Sequence, residues 1–176
     1  MNGVFNPEKI KLIVGLGNPG SDYENTYHNA GFLALKYLSE NAPETDWRQA
    51  KKFSYIKTSR FILVKPEEFM NESGNAVKEV LKYFKSKKFE LLLVHDDSDL
   101  ESGKWKLSFG RGAAGHRGVE SIIASVKSPD FWRARIGVRN WKGKAGDFVL
   151  KKISSADRKS LILAFRELKD VLSVNG

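Results

Sequence analysis

Two hydrophobic periods alternate along this chain. Aliphatic or alternating runs at Lys11–Gly15, Ser54–Thr58, Phe61–Lys65, Leu91–His95, Lys104–Phe109 and Arg135–Val138 predict β-strands, since β-branched and aliphatic side chains pack well on a pleated surface. The runs IVG and LLLV lack polar alternation, as expected of strands covered on both faces. Ser54–Thr58 and Phe61–Lys65, joined at Ser59-Arg60, read as a hairpin. Between the strands the period becomes helical. Val77, Val80, Leu81 and Phe84 share one face after Ser73, and Val119, Ile122, Ile123 and Val126 share another after Gly115. Leu161, Phe165, Leu168 and Leu172 form a stripe behind the capping start Ser154-Ser155-Ala156-Asp157. Alternating strands and helices predict a single α/β domain over residues 1–176: a mixed, mainly parallel twisted sheet with helices on both faces. Pro43–Ala50 and Trp141–Gly146 carry neither period and are expected to be mobile loops.

Composition removes several classes. A chain of 176 residues suits one domain with a sizeable core. The absence of cysteine excludes disulfides, thiolate chemistry and any zinc site needing sulfur. The start MNGVFNPEKIKL has no cationic stretch followed by an apolar one, so no signal peptide is expected. No apolar run approaches membrane-spanning length, and the expected location is cytoplasmic with no membrane partner.

The net charge of +9 is unevenly spread, and residues 101–150 carry ten basic against four acidic side chains. Lys104, Lys106, Arg111, Arg133, Arg135, Arg139, Lys142 and Lys144 are the densest part, with Trp105, Phe109, Trp132 and Trp141 interleaved. Bases with interleaved aromatics point to a nucleic-acid partner.

Candidate chemistry gathers at predicted strand ends. Gly15-Leu16-Gly17-Asn18-Pro19-Gly20 fits G-x-G-x-x-G, but that fingerprint needs a helix opening inside the glycines. Pro19 disfavours the helical conformation at Asn18, and no acidic residue ends a second strand where a ribose would be read. The turn is therefore read as aiming the Asn18 side chain into a site at the carboxyl end of a strand. A nucleotide-binding oxidoreductase remains the reading that a titration with NAD would test.

Only three histidines occur: His28 after the first strand, His95 closing the LLLV strand, and His116 in the glycine-rich turn that opens a helix. If the first strand and LLLV are neighbours, His28 and an aspartate near residue 96 meet at one sheet edge. An imidazole oriented by a carboxylate is a usual general base acting on water. Asp96, Asp97, Asp99 and Glu101 read as a solvated acidic loop rather than a metal site, and no serine sits in a nucleophile elbow.

These residues also carry a resemblance. GLGNPG-x-x-Y-x-x-T-x-H-N-x-G (Gly15–Gly31), KPxxFMNxSGxAV (Lys65–Val77), HDDxDL–GK (His95–Lys104), GHxG (Gly115–Gly118) and RxRIG (Arg133–Gly137) occur in the order seen in bacterial peptidyl-tRNA hydrolases. From about Lys11 to Ile153 the chain resembles that family. The resemblance implies a monomeric α/β enzyme, without metal or cofactor, that hydrolyses the ester between a peptide and the 3′-terminal adenosine of tRNA. The implied partner is peptidyl-tRNA, held at its acceptor stem and 3′ end, and the implied service is recycling of tRNA from abandoned translation.

Position by position, the resemblance makes His28 the base and Asp96 the carboxylate that orients it. It makes Asn71, after Met70, the side chain that holds the ester and steadies the oxyanion, and Asn18 one that distinguishes blocked peptidyl from free aminoacyl substrates. Tyr23 and Phe69 would line the cleft near the tRNA end, and His116 would lie in a loop over it. Departures from the pattern are Tyr27 for an arginine, Arg117 for an asparagine, and Ser108 where a phosphate-gripping base is usual. Lys106 or Arg111, with Arg133 and Arg135, would then supply the phosphate contacts, and Arg117 is expected at the 3′-terminal nucleotides. The alternative is a catalytically silent RNA-binding relative, from which a hydrolysis assay distinguishes an enzyme.

Overall fold

The computed structural model describes residues 4–40, 42–43, 46–139, 146 and 148–173. Trp141, Lys142 and Lys144 of the basic segment, and nearly all of the Trp141–Gly146 loop, lie outside the described residues. One sheet of seven strands organises the rest: β1 (Leu12–Gly15), β2 (Arg48–Gln49), β3 (Phe53–Lys57), β4 (Ile62–Pro66), β5 (Leu91–Glu101), β6 (Trp105–Phe109) and β7 (Trp132–Arg139). Their order across the sheet is β2-β3-β4-β1-β5-β7-β6. The central four, β4-β1-β5-β7, run parallel, and β2, β3 and β6 attach antiparallel at the edges. The sheet is thus mixed around a parallel centre, as the alternating pattern predicts.

Burial explains the continuous apolar runs. Leu12, Ile13 and Val14 face Ile62, Leu63 and Val64 on one side and Leu91, Leu92 and Leu93 on the other. All of β1's side chains are buried, as are the first residues of β5. One face packs Ile13, Leu92 and Val94 against α1 (Ala30–Ser39) and α4 (Ser155–Ser173), through residues such as Ala34, Leu161 and Phe165. The other packs Leu12, Val14 and Leu93 against α2 (Ser73–Tyr83) and α3 (Arg117–Val126), through Val77, Val80, Val119 and Ile122. Each such Val, Leu, Ile or Phe side chain, fully buried, contributes about 1.5–3 kcal/mol of transfer free energy. The start of α4 is as expected: Ser154 Oγ accepts from the Asp157 backbone N–H at 3.1 Å. Among the described residues no helix is long and apolar enough to cross a membrane.

Three expectations are corrected. The short edge strand β2 falls inside the predicted loop Pro43–Ala50, where Arg48 and Gln49 pair with Tyr55 and Ser54. Being exposed, it has no apolar period to reveal it. Second, β5 does not close at His95, since Asp96 and Asp97 continue in register with Ile136 and Gly137 of β7. The reading of Asp96, Asp97, Asp99 and Glu101 as a loop therefore fails, since all four belong to the strand; Asp99 and Glu101 are solvated, but Asp97 is buried and Asp96 is only 3% exposed. Third, the interleaved bases and aromatics do not share a surface. Alternation along β6 and β7 puts Lys106, Ser108, Arg133 and Arg135 on one face of the sheet. Trp105, Leu107 and Trp132 point to the other and pack against the α1–α4 core.

The glycines of the first motif serve packing. A Cβ at Gly31 would lie 2.3–2.5 Å from the Leu16 backbone nitrogen and oxygen and the Val94 carbonyl. One at Gly15 would lie 2.4 Å from the Gly31 carbonyl. The first turn of α1 thus rests directly on the ends of β1 and β5, and α1 begins only at Ala30, past the glycines. A helix opening inside them, which a pyrophosphate needs, is not formed. Gly31→Ala is expected to destabilise the fold by about 1–3 kcal/mol or more, because the opposing atoms are backbone and cannot swing away. Denaturant unfolding measures this, and an unchanged midpoint would show that the contact yields.

Candidate active site

The carboxyl ends of β1 and β5 open into a cleft of about 990 Å³. Chain direction explains why the site lies here: parallel strands present their C-terminal loops on one edge, where helices no longer cover the sheet. The polar residues of β5 that follow its apolar run stand on that edge, with His95, Asp96 and Asp97 all lining the cleft.

His28 sits in a 3-10 turn, Tyr27–Asn29, between β1 and α1. The turn is anchored from the far end of the chain: the His28 N–H donates to the Val149 carbonyl at 2.7 Å, and the Tyr27 N–H to Lys151 at 3.2 Å. The Tyr27 hydroxyl donates to Asp157 at 2.7 Å, tying the turn to the start of α4. His28 Nδ1 lies 2.9 and 3.0 Å from the two oxygens of Asp96. In the neutral ring this leaves the lone pair on Nε2. Sequence reasoning expected this pair to meet, and the structure brings it together.

Asn18 is buried at the tip of the β1 turn. Its Oδ1 accepts from the Met70 N–H at 2.8 Å, which fixes the amide so that Nδ2 is the group left to donate. Asn29 holds this turn as a strand neighbour would. Its Oδ1 accepts from the Asn18 N–H at 2.8 Å and its Nδ2 donates to the Asn18 carbonyl at 3.0 Å. Sequence reasoning gave Asn29 no role, and its only signal was a place beside His28. Asn71 follows in the 3-10 turn Met70–Glu72, exposed, and lines the cleft with Phe69 and Met70. Tyr23 meets Phe69 edge to face, with ring centroids 6.1 Å apart. The Asn18–Met70 bond therefore joins the two turns that carry the amide side chains.

A second histidine reaches the same carboxylate. His116 Nε2 lies 2.9 Å from Asp96 Oδ1, a contact the sequence did not suggest. Behind it His95 is buried, its Nδ1 donating to the Asp96 carbonyl at 2.7 Å and its ring 4.7 Å from that of His116. The bases divide by environment. Arg135 pairs with Asp97, half-buried, while Lys106, Arg111 and Arg117 are exposed. Arg133 differs from its expected place among phosphate contacts. It is 3% exposed, with Nη2 donating to the carbonyls of Arg111 and Gly112 at 3.1 and 3.0 Å. It braces the loop leading to His116, because alternation along β7 turns it under that loop.

The charges on this cluster follow from burial and pairing. Burial disfavours the His28 cation, but the Asp96 anion and its hydrogen bond outweigh this and raise the pKa, with Arg117 pulling it down. Burial would raise the Asp96 pKa, yet His116 and His28 hold it below the usual carboxylate range. Burial pushes His95 well below the ordinary imidazole value, so it is neutral at neutral pH. His28, Asp96 and His116 offer ligand atoms within 4.8 Å of one another. His28 Nδ1 and His116 Nε2 each stand 2.9 Å from Asp96 Oδ1, within hydrogen-bond distance.

An imidazole backed by a buried carboxylate, beside two amide side chains at the open edge of a parallel sheet, can activate water against a carbonyl. Fold and site thus belong to the class of α/β proteins equipped for general-base hydrolysis. The family model described as peptidyl-tRNA hydrolase matches residues 12–175. The peptidyl-tRNA hydrolase of Listeria innocua is 38% identical over 169 residues, 93% of this chain and 91% of that protein. That of Coxiella burnetii is 37% identical over 161 residues, 90% of this chain and 86% of the relative. The crystal structure of the Acinetobacter baumannii enzyme matches with a TM-score of 0.83 at 29% identity, covering 95% of this chain and 88% of that one. The chain belongs to the peptidyl-tRNA hydrolase family.

The pKa directions give a pH dependence. A base must be neutral, so with His28 in that role activity is expected to fall as pH drops through its raised value, and the acid limb of kcat/KM is expected above the ordinary imidazole value of about 6.5. Asp96→Asn removes the anion that raises it, and the limb should move down by about 1 unit or more. For stability the signs differ. Protonated His28 stabilises the fold below its unfolded pKa, and this is lost as pH rises through the raised folded value. Ionised Asp96 stabilises it above the unfolded carboxylate pKa, and this is lost as pH falls through the lowered folded value. A limb that does not move in Asp96→Asn would separate Asp96 from the base.

Proposed function

We propose that this protein hydrolyses peptidyl-tRNA, cleaving the ester between the peptide and the 3′-terminal adenosine, with His28 as the base. The observation that carries the reading is the His28–Asp96 pair, open to the cleft and flanked by Asn18 and Asn71. Water held at His28 Nε2 attacks the ester carbonyl and gives its proton to the imidazole. Asp96 remains an anion and stabilises the imidazolium. The tetrahedral oxyanion is met by the amide groups of Asn71 and Asn18. Collapse breaks the bond to the ribose oxygen, which takes the proton back from His28, so that peptide acid and tRNA leave and the site is restored. An ester needs less assistance than an amide, and general-base catalysis contributes about 10²–10⁴-fold, with an oxyanion donor adding about 10²–10³.

The substrate's other end explains the remaining side chains. Phe69, backed by Tyr23, and Met70 are read as the wall at which the 3′ end lies, in the cleft that His116 and Arg117 also line. Lys106, Arg111 and Arg135 take acceptor-stem phosphates, Arg135 while paired with Asp97, and Arg133 supports the Arg111–Gly112 backbone from beneath. Arg117, exposed at the first position of α3, is read as contacting the 3′-terminal nucleotides, a role its position supports. The protein is read as one domain over residues 1–176, a cytoplasmic monomer that recycles tRNA from abandoned translation without metal or cofactor.

The deciding assay is release of an N-acetylated amino acid from its tRNA ester, with free aminoacyl-tRNA as the control. His28→Ala should lower kcat by at least ~10² with tRNA binding largely kept. Near-normal turnover by that folded variant would remove His28 from the role. Binding should weaken steeply with salt, and Lys106→Gln or Arg111→Gln should each flatten the log–log slope by about 0.7–0.9 if it meets a phosphate. A slope unchanged in both variants would make these bases merely solubilising.

A further inference from the structure

His116 is bound at both ring nitrogens, and the two bonds differ in kind. Its Nδ1 accepts from the backbone N–H groups of Gly118 and Val119, at 3.2 and 3.4 Å, and so caps the start of α3. A nitrogen that accepts from backbone N–H groups carries no proton. The one ring hydrogen is therefore on Nε2, and Nε2 lies 2.9 Å from Asp96 Oδ1. Protonating Nδ1 would break the cap and set a cation against the positive end of a helix. Asp96 Oδ1 accepts from His116 and from His28 alike, while among the described residues Oδ2 accepts from His28 only.

We propose that His116 is a positioning residue for the reaction: fixed as the Nε2–H tautomer by capping α3, it holds Asp96 in place and draws off part of the carboxylate's charge, so that Asp96 grips the proton on His28 less firmly. The consequence is chemical. A base left alone with a buried carboxylate would stay protonated further up the pH scale and be less available at neutral pH. A second neutral donor on that carboxylate keeps the base available, and it orients Asp96 without adding a positive charge. The direction agrees with the other charges around the pair. Arg117, next to His116, also lowers the proton affinity of His28. His95, packed against His116 from β5, is kept neutral by burial. Asp97 and Arg135, across the cleft on β5 and β7, neutralise one another, and Asp99, Arg111 and Arg133 complete its charged lining. The turn at Met70–Glu72 and the segment after Phe148 present Asn71, Val149 and Leu150 to the cleft, which are uncharged.

The proposal rests on the reading of His28 as the base, and its test is readable without turnover. His116→Ser is the informative substitution, since serine is a good N-cap and keeps α3 started while the donor to Asp96 is lost. NMR titration of the His28 ring should then show its protonation midpoint raised by about 0.5 unit or more. The acid limb of kcat/KM should move with it, so that below the limb the variant is about threefold slower than the parent. A residue that only caps the helix would leave the His28 midpoint where it is, and that result, or a downward shift, overturns the proposal.

Should the serine variant fail to fold, the parent protein and Asp96→Asn decide. Nitrogen-15 shifts should show His116 as the Nε2–H tautomer in both at neutral pH, because the cap and not Asp96 selects it. A His116 protonated at Nδ1 in the parent overturns the proposal. A parent that leaves peptidyl-tRNA intact while His28 shifts as expected would instead sink the assignment of the reaction.

Discussion

The carboxylate of Asp96 is the point on which the rest of this site depends. An ionised group 3% exposed is tolerated only where its charge is met, and here two imidazoles meet it. Those imidazoles come from two separate loops, one after β1 and one before α3, and the carboxylate itself stands in β5. Asp96 therefore joins three pieces of chain at the edge of the sheet. Held below the usual carboxylate range by the two imidazoles, it also keeps its negative charge at neutral pH.

Such a junction requires rigid surroundings, and the chain supplies them through backbone contacts rather than bulky side chains. Gly15 and Gly31 let the start of α1 lie on the ends of β1 and β5, bringing His28 within reach of Asp96. The side chain of Asn29 then pairs with Asn18 through both backbone groups, and Asn18 in turn fixes Met70. The segment from Val149 to Ile153 closes the arrangement from outside by pairing with the turn at residues 25–28. The glycine motif that imitates a nucleotide-binding loop is thus a device for close packing next to His28.

Charge is organised by the same sheet geometry. The two-residue period of β6 and β7 separates the basic side chains from the tryptophans, sending the latter into the α1–α4 core. What faces the cleft is then a basic lip running from Arg117 past Arg111 to Arg135. Ser108, buried on the same face of β6 as the exposed Lys106, adds no charge to it. Arg133 is recruited inward to hold the loop that carries Arg111 toward the cleft and His116 toward Asp96.

By itself the sequence determined the parallel core and the three hydrophobic helix faces, and it brought His28 to an aspartate near residue 96 on the condition, met in the structure, that β1 and β5 are neighbours. The reason is that continuous apolar runs and helical stripes are local patterns with one favourable burial, and a chain alternating between them is confined to an α/β sheet. The motif blocks carried the family. Only the tertiary structure decided what depends on strand pairing beyond the apolar runs. The exposed edge strand β2 exists because Phe53–Lys57 offers it a partner, and β5 continues through Asp96 because β7 lies beside it. The second imidazole on Asp96, the bracing by Arg133 and the clasp by Asn29 are contacts between residues whose types fit many roles. A histidine, an arginine and an asparagine receive a single role only when folding fixes which donor and which acceptor each will face.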